Sequence, residues 1–164
     1  MVPHSYLEFM ITSAGAAAAM IGLLFVAISF RSDLVFGKNA VPRVKTLASG
    51  SFTGLVNAFS LALLAIIPST NIGVGMVVLA TICLLSTWQL HARALGKTQY
   101  RVLALTTLTY AAQFAGGVTL LARPHISWIV NGLCYVIFAS FVISLTRAWQ
   151  LIQADTPKAR DASS

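Results

Sequence analysis

Five long apolar runs set the limits on how this chain can fold. They cover residues 9–30, 47–67, 72–90, 102–121 and 126–149, and none has an Asp, Glu, Lys, Arg or His in its central part. An α-helix needs about 20 mostly apolar residues to cross the hydrocarbon core of a bilayer. Only 9% of the residues are charged and 57% are apolar, which leaves too little charge to cover a soluble surface. The sequence therefore predicts an all-α integral membrane protein, a bundle of five transmembrane helices.

These runs define one predicted transmembrane domain over residues 1–153. Residues 154–164 are small, polar and mixed in charge, which predicts a disordered cytoplasmic tail. The first run is interpreted as a retained span and not as a signal peptide. No Lys or Arg precedes it, and its apolar character continues to Phe30.

The basic residues lie almost entirely on one side of this five-span arrangement. Of the eleven Lys and Arg residues, only Arg123 falls on the other side, and Arg147 is counted here with the tail. A four-span or six-span arrangement would break this segregation. The positive-inside rule assigns the basic side to the cytoplasm, so we expect the N-terminus outside and the C-terminus inside.

The two longer connections on the basic side are also expected to touch lipid headgroups. The residues predicted to do so are Lys38, Arg43, Lys45, Arg93, Lys97 and Arg101. Orientation and headgroup contact account for the net charge of +7 without a nucleic-acid partner.

Small residues form stripes on the first two spans. Close approach of two helices in a membrane depends on such residues, so both stripes predict a helix-packing or oligomer interface. The simpler interpretation is that the first two spans pack together within one chain, and a subunit interface is the alternative. The predicted interface residues are Gly15, Ala19 and Gly22 on the first span and Gly50, Gly54 and Asn57 on the second.

The fourth span has the most polar face. Its members are Thr106, Thr109, Tyr110 and Gln113, and the fifth span adds Asn131. Hydrogen bonding between helices is the favoured interpretation, because an unpaired amide in the membrane is costly. A polar cavity, or a pore lining in a homo-oligomer, is the alternative.

No motif for chemistry accompanies these spans. The chain lacks HExxH, GxSxG, a Walker lysine and a carboxylate pair within a span. His4, Glu8 and His125 share the predicted outer side, but their spacing does not demand a metal. We therefore predict no catalytic, cofactor-binding or metal site, and a protein that is not an enzyme.

The first span, from residue 14 to residue 29, reads AGAAAAMIGLLFVAIS. It resembles the opening helix of small bacterial membrane proteins, common in actinobacteria, that are labelled modulators of the FtsH protease. The resemblance implies a bacterial plasma membrane (the inner membrane) and an FtsH-type protease as partner. It implies no catalytic residue.

Two functions remain at this stage. The first is a non-enzymatic scaffold, accessory subunit or modulator that binds other membrane proteins or further copies of itself. The second is a homo-oligomeric channel or pore lined by the polar faces of spans two or four.

Overall fold

The computed structural model describes residues 4–30, 32, 35, 42–67, 71–92, 100–123 and 127–153. This part of the chain is all helical and contains no strand. Its five helices are α1 (His4–Ser29), α2 (Pro42–Ile66), α3 (Ile72–Ala92), α4 (Tyr100–Ala122) and α5 (Ser127–Gln153). Each matches one of the apolar runs to within five residues at either end.

Four of these helices, α1, α2, α3 and α5, are long and apolar enough to cross a membrane, judged by length and composition within the described residues. Helix α4 is long enough, but its four threonines, Tyr110 and Gln113 lower its mean hydropathy. The prediction of an all-helical, membrane-compatible chain is confirmed at this level. That α4 also crosses the bilayer stays a prediction.

Helices α2, α3, α4 and α5 form a ring. The contacts α3–α4 and α2–α5 are extensive, whereas α2–α3 and α4–α5 are smaller. The ring is therefore built from two tight helix pairs that meet along a looser seam. Helix α1 lies outside the ring. It packs mainly against α2 and makes only a small contact with α5.

Two apolar clusters hold the helices together. The first joins α1, α2, α3 and α5 through Met10, Ala14, Ala58, Leu61, Ala62, Ala65, Met76, Leu133 and Ile137. The second joins α1, α2 and α5 near the opposite end of α2 through Leu24, Val35, Val44, Leu47, Ala48, Leu55 and Leu151. The face of α2 that looks into the ring is polar between these clusters.

The stripe of small residues on α1 does not make the α1–α2 contact. Helix α1 faces α2 with Met10, Ala14 and Leu24. Gly15, Ala19 and Gly22 are exposed, and a Cβ on either glycine would have no neighbour within 4 Å. The expected pairing of the two stripes within one chain is therefore not made. The role of the α1 stripe as an oligomer interface stays a prediction.

Helices α3 and α4 approach closely where two glycines meet. A Cβ on Gly117 would lie 3.0 Å from the carbonyl oxygen of Gly73 and 2.9 Å from the Met76 Cβ. No side chain fits between the two backbones at this point. The contact has the small-residue character of membrane helix pairs, and it lies outside the two small-residue stripes predicted from the sequence.

Candidate functional site

An amide pair occupies the centre of the ring. The Asn57 side-chain nitrogen donates to the Gln113 oxygen at 2.8 Å, and the Gln113 nitrogen lies 3.2 Å from the Asn57 oxygen. The same Gln113 nitrogen is 3.2 Å from the carbonyl oxygen of Met76. Both amides are 0% exposed. These bonds tie α2 to α4 across the ring and anchor both to α3.

Arg147 lies inside the bundle and not in the tail. Helix α5 continues to Gln153, and Arg147 sits within its last two turns with only 7% of its surface exposed. Its guanidinium donates to the Thr106 hydroxyl at 2.6 Å. Gly50 makes room for it, because a Cβ there would overlap the guanidinium. Counting Arg147 with the cytoplasmic tail was therefore wrong, because its side chain is directed into the bundle and not toward water.

The other neighbours of Arg147 are polar but uncharged. The Tyr110 side chain is close enough for an electrostatic interaction with the guanidinium, and its hydroxyl is hydrogen-bonded with the free Cys83 thiol. Glu8 is the one acidic residue within the described ranges. No described carboxylate therefore accompanies the buried charge.

Glu8 lies near the opposite end of the bundle from Arg147. The Tyr6 hydroxyl donates to the Asn131 side-chain oxygen, which places the starts of α1 and α5 side by side. Arg147 is 16 residues beyond Asn131, a rise of about 24 Å along α5. That distance excludes Glu8 as a counterion.

Ser144 lies one turn before Arg147 on the same face of α5. Its hydroxyl is buried, has no hydrogen-bond partner within the described residues, and faces Gly54. The hydroxyls of two other buried serines donate hydrogen bonds within their own helices. Ser51 donates to the Leu47 carbonyl and Ser140 to the Val136 carbonyl. A buried polar atom without a partner is uncommon.

The polar face predicted on the fourth span separates into three parts. Thr106, Tyr110 and Gln113 are buried and meet α5, α3 and α2. Thr109 donates to the carbonyl of Leu105 in its own helix. Asn131 is exposed at the other end of the bundle. The expected hydrogen bonding between helices is therefore present for the buried residues.

The predicted stripe on α2 also faces the ring interior. Gly50 packs on Arg147, Gly54 on Ser144, and Asn57 on Gln113. All three lie on one side of the helix because they repeat at three- and four-residue spacing. This stripe is thus a packing face within the chain.

The structure describes few of the predicted headgroup residues. Lys45 is exposed near the start of α2. Lys38, Arg93 and Lys97 lie outside the described residues, as do the side chains of Arg43 and Arg101. Headgroup contact stays a prediction for all six.

No three His, Cys, Asp or Glu side chains within the described ranges are placed to hold a metal ion. His125 lies outside those ranges, so the alternative of a site shared with His4 and Glu8 falls outside the described residues too.

Comparison of the chain with protein-family models, curated proteins and solved structures gave no match. The resemblance of the first helix to FtsH modulators therefore stays a prediction, and the site has to be interpreted from its own geometry.

Proposed function

We propose that the chain crosses the plasma membrane of a bacterium five times, with its N-terminus outside and its C-terminus in the cytoplasm. The five helices and the one-sided distribution of basic residues support this arrangement. Arg147 still belongs to the cytoplasmic half, because its guanidinium lies at the level of Gly50 and Thr106, early in α2 and α4.

Reporter fusions test this topology, with α4 as the critical helix. Alkaline phosphatase, which is active only outside, should be inactive when fused after Lys97 and active when fused after Pro124. Fluorescent-protein fusions at the same positions should give the reverse result. Equal activity at the two positions would mean that α4 does not cross.

We further propose that the protein works by binding another membrane protein, as a scaffold, accessory subunit or modulator. The observation that carries this proposal is the outward α1 stripe: small residues face away from the bundle while the buried polar groups are turned inward. Small outward residues let a second helix approach closely. An FtsH-type protease is the partner that the resemblance of the first helix suggests.

The pore is not retained as a second candidate. Thr106, Tyr110 and Gln113 are at most 3% exposed within a single chain. A pore between subunits would need these side chains on an outer surface. Their burial favours an internal structural role.

Replacing Gly22 with leucine tests the binding function. The substitution should leave the fold intact, because a Cβ at Gly22 meets nothing within 4 Å. Overpacking of a close helix interface costs about 1–3 kcal/mol, so capture of the partner should fall about tenfold. Crosslinking in native membranes, followed by purification and mass spectrometry, measures that capture.

Ala111→Leu is the matched control, because Ala111 is an exposed small residue on α4. It should leave the captured partners unchanged. The proposal fails if Gly22→Leu retains every partner at wild-type yield, or if both variants lose them equally.

A further inference from the structure

Arg147 carries a buried positive charge that lacks a described counterion. Placing an ionised side chain in a low-dielectric interior is costly unless it is paired. Ionisable groups within membrane helices are accordingly rare and mark binding or transport sites. The hydrogen bond to the neutral Thr106 hydroxyl, the one that Arg147 makes among the described side chains, does not supply a negative charge.

Two groups of hydrogen-bond donors lie on the same face of α5. A guanidinium has five N–H donors, and one of those on Arg147 is directed to Thr106. The Ser144 hydroxyl is buried and has no hydrogen-bond partner among the described residues. The guanidinium lies over Gly50 and this hydroxyl over Gly54, positions whose Cβ atoms would be about 5–6 Å apart. Two donor groups at that separation can contact different oxygens of one ligand.

The described charges at this end of the bundle also favour an anion. Helices α2 and α4, which face the Arg147 side chain, begin at this end with no acidic residue in their first turns. Lys45 adds an exposed positive charge at the same end. The described charged side chains nearest Arg147 are therefore basic.

We propose that Arg147 and Ser144 bind a phosphate-type oxyanion between α2, α4 and α5. Arginine is suited to such a group, because its planar fork of N–H donors matches two oxygens at once. The phosphate of an anionic phospholipid and free inorganic phosphate share this chemistry.

The purified full-length chain in a neutral maltoside detergent tests this site and separates the two sources. Native mass spectrometry counts phosphatidylglycerol bound per chain, with diacylglycerol, which has no phosphate, as the reference lipid. Thermal unfolding with added inorganic phosphate, without lipid, reports the free ion. We expect saturable binding of one phosphatidylglycerol, a raised unfolding temperature with phosphate, or both.

Two variants locate the binding. Arg147→Gln should weaken it by about tenfold or more, the loss expected for a charge-assisted hydrogen bond. Ser144→Ala should weaken it several-fold while leaving the ligand-free chain at least as stable, because it removes an unpartnered buried hydroxyl. A purely structural Ser144 would not alter anion binding. Ser144→Ala also keeps the test decisive if Arg147→Gln fails to fold.

Arg123→Gln is the matched control, since it removes an exposed charge at the opposite end of the bundle. It should bind almost as the wild type does. Equal losses in Arg147→Gln and Arg123→Gln would reveal a diffuse electrostatic effect and overturn the site. A folded wild-type chain that binds neither phosphatidylglycerol nor inorganic phosphate would also overturn the proposed site. In that case, Asp33→Asn would test whether a carboxylate of the chain itself is the counterion of Arg147. Because binding is measured on the isolated protein, the outcome is independent of any protein partner.

Discussion

Replacing Gly117 with alanine should destabilise the bundle. Overpacking usually costs about 1–3 kcal/mol, and the higher helix propensity of alanine offsets up to about 1 kcal/mol of that cost. The new Cβ would lie 2.9 Å from the Met76 Cβ and 3.0 Å from the Gly73 carbonyl oxygen. Backbone and Cβ atoms cannot rotate away. Helices α3 and α4 must therefore separate, along one of the most extensive contacts of the ring. Unfolding in mixed micelles gives the change in stability.

Gly116→Ala is the matched control, since it makes the same chemical change one position earlier. The nearest atom to its Cβ is the terminal methyl of Met76 at 3.2 Å, at the end of a flexible side chain. We expect a change within about 0.5 kcal/mol, with the gain in helix propensity offsetting a small displacement. Similar losses in both variants would contradict the close backbone approach inferred for Gly73 and Gly117.

Hydropathy alone was sufficient to place the helices. The run predicted at 72–90 became Ile72–Ala92, and the run at 102–121 became Tyr100–Ala122. Charged and proline-containing connections mark the ends because neither crosses hydrocarbon well. The differences fall at helix ends, where polar residues continue a helix beyond its apolar part.

The inward faces were harder to predict. Membrane lipid is as apolar as the interior of a bundle, so hydrophobicity does not mark the buried side of a helix such as α1. Its small-residue stripe suggested a contact with α2, yet Met10, Ala14 and Leu24 make that contact. The polar face of α4 was a better guide, because Gln113 and Thr106 have to find partners inside.

Arg147 shows why a count of basic residues can miss a buried arginine. Near the end of an apolar run, an arginine fits the positive-inside pattern whether it points to water or into the bundle. The sequence does carry one sign of burial. Ser140, Ser144 and Arg147 repeat at helical spacing and therefore lie on one face of α5, and this face packs against Gly50 and Gly54 of α2. Recognising the sign requires knowing that α2 and α5 are neighbours, which depends on the tertiary fold.

Replacing Gln113 with methionine should cost about 1–3 kcal/mol, because it leaves the buried Asn57 amide without its partner. The carbonyl of Met76 also loses the hydrogen bond from Gln113. Asn57→Leu should be destabilising for the same reason, since it strands the Gln113 amide. The double variant, with both partners apolar and of similar shape, should be more stable than the sum of the two losses predicts.

The cycle of these variants isolates the coupling between the two amides. Polar pairs in membrane bundles average about 0.6 kcal/mol and reach about 1.7 kcal/mol, and a pair that is fully buried should lie toward the upper end. Gln89→Met is the control, because Gln89 is exposed on α3 and its loss should be nearly neutral. If the losses of stability for Asn57→Leu and Gln113→Met are additive, each amide is solvated separately, as in a water-filled cavity. That result would support a pore lined by the polar face of α4. A coupling energy above about 1 kcal/mol would show that the two amides bond to each other away from water and hold α2, α3 and α4 together.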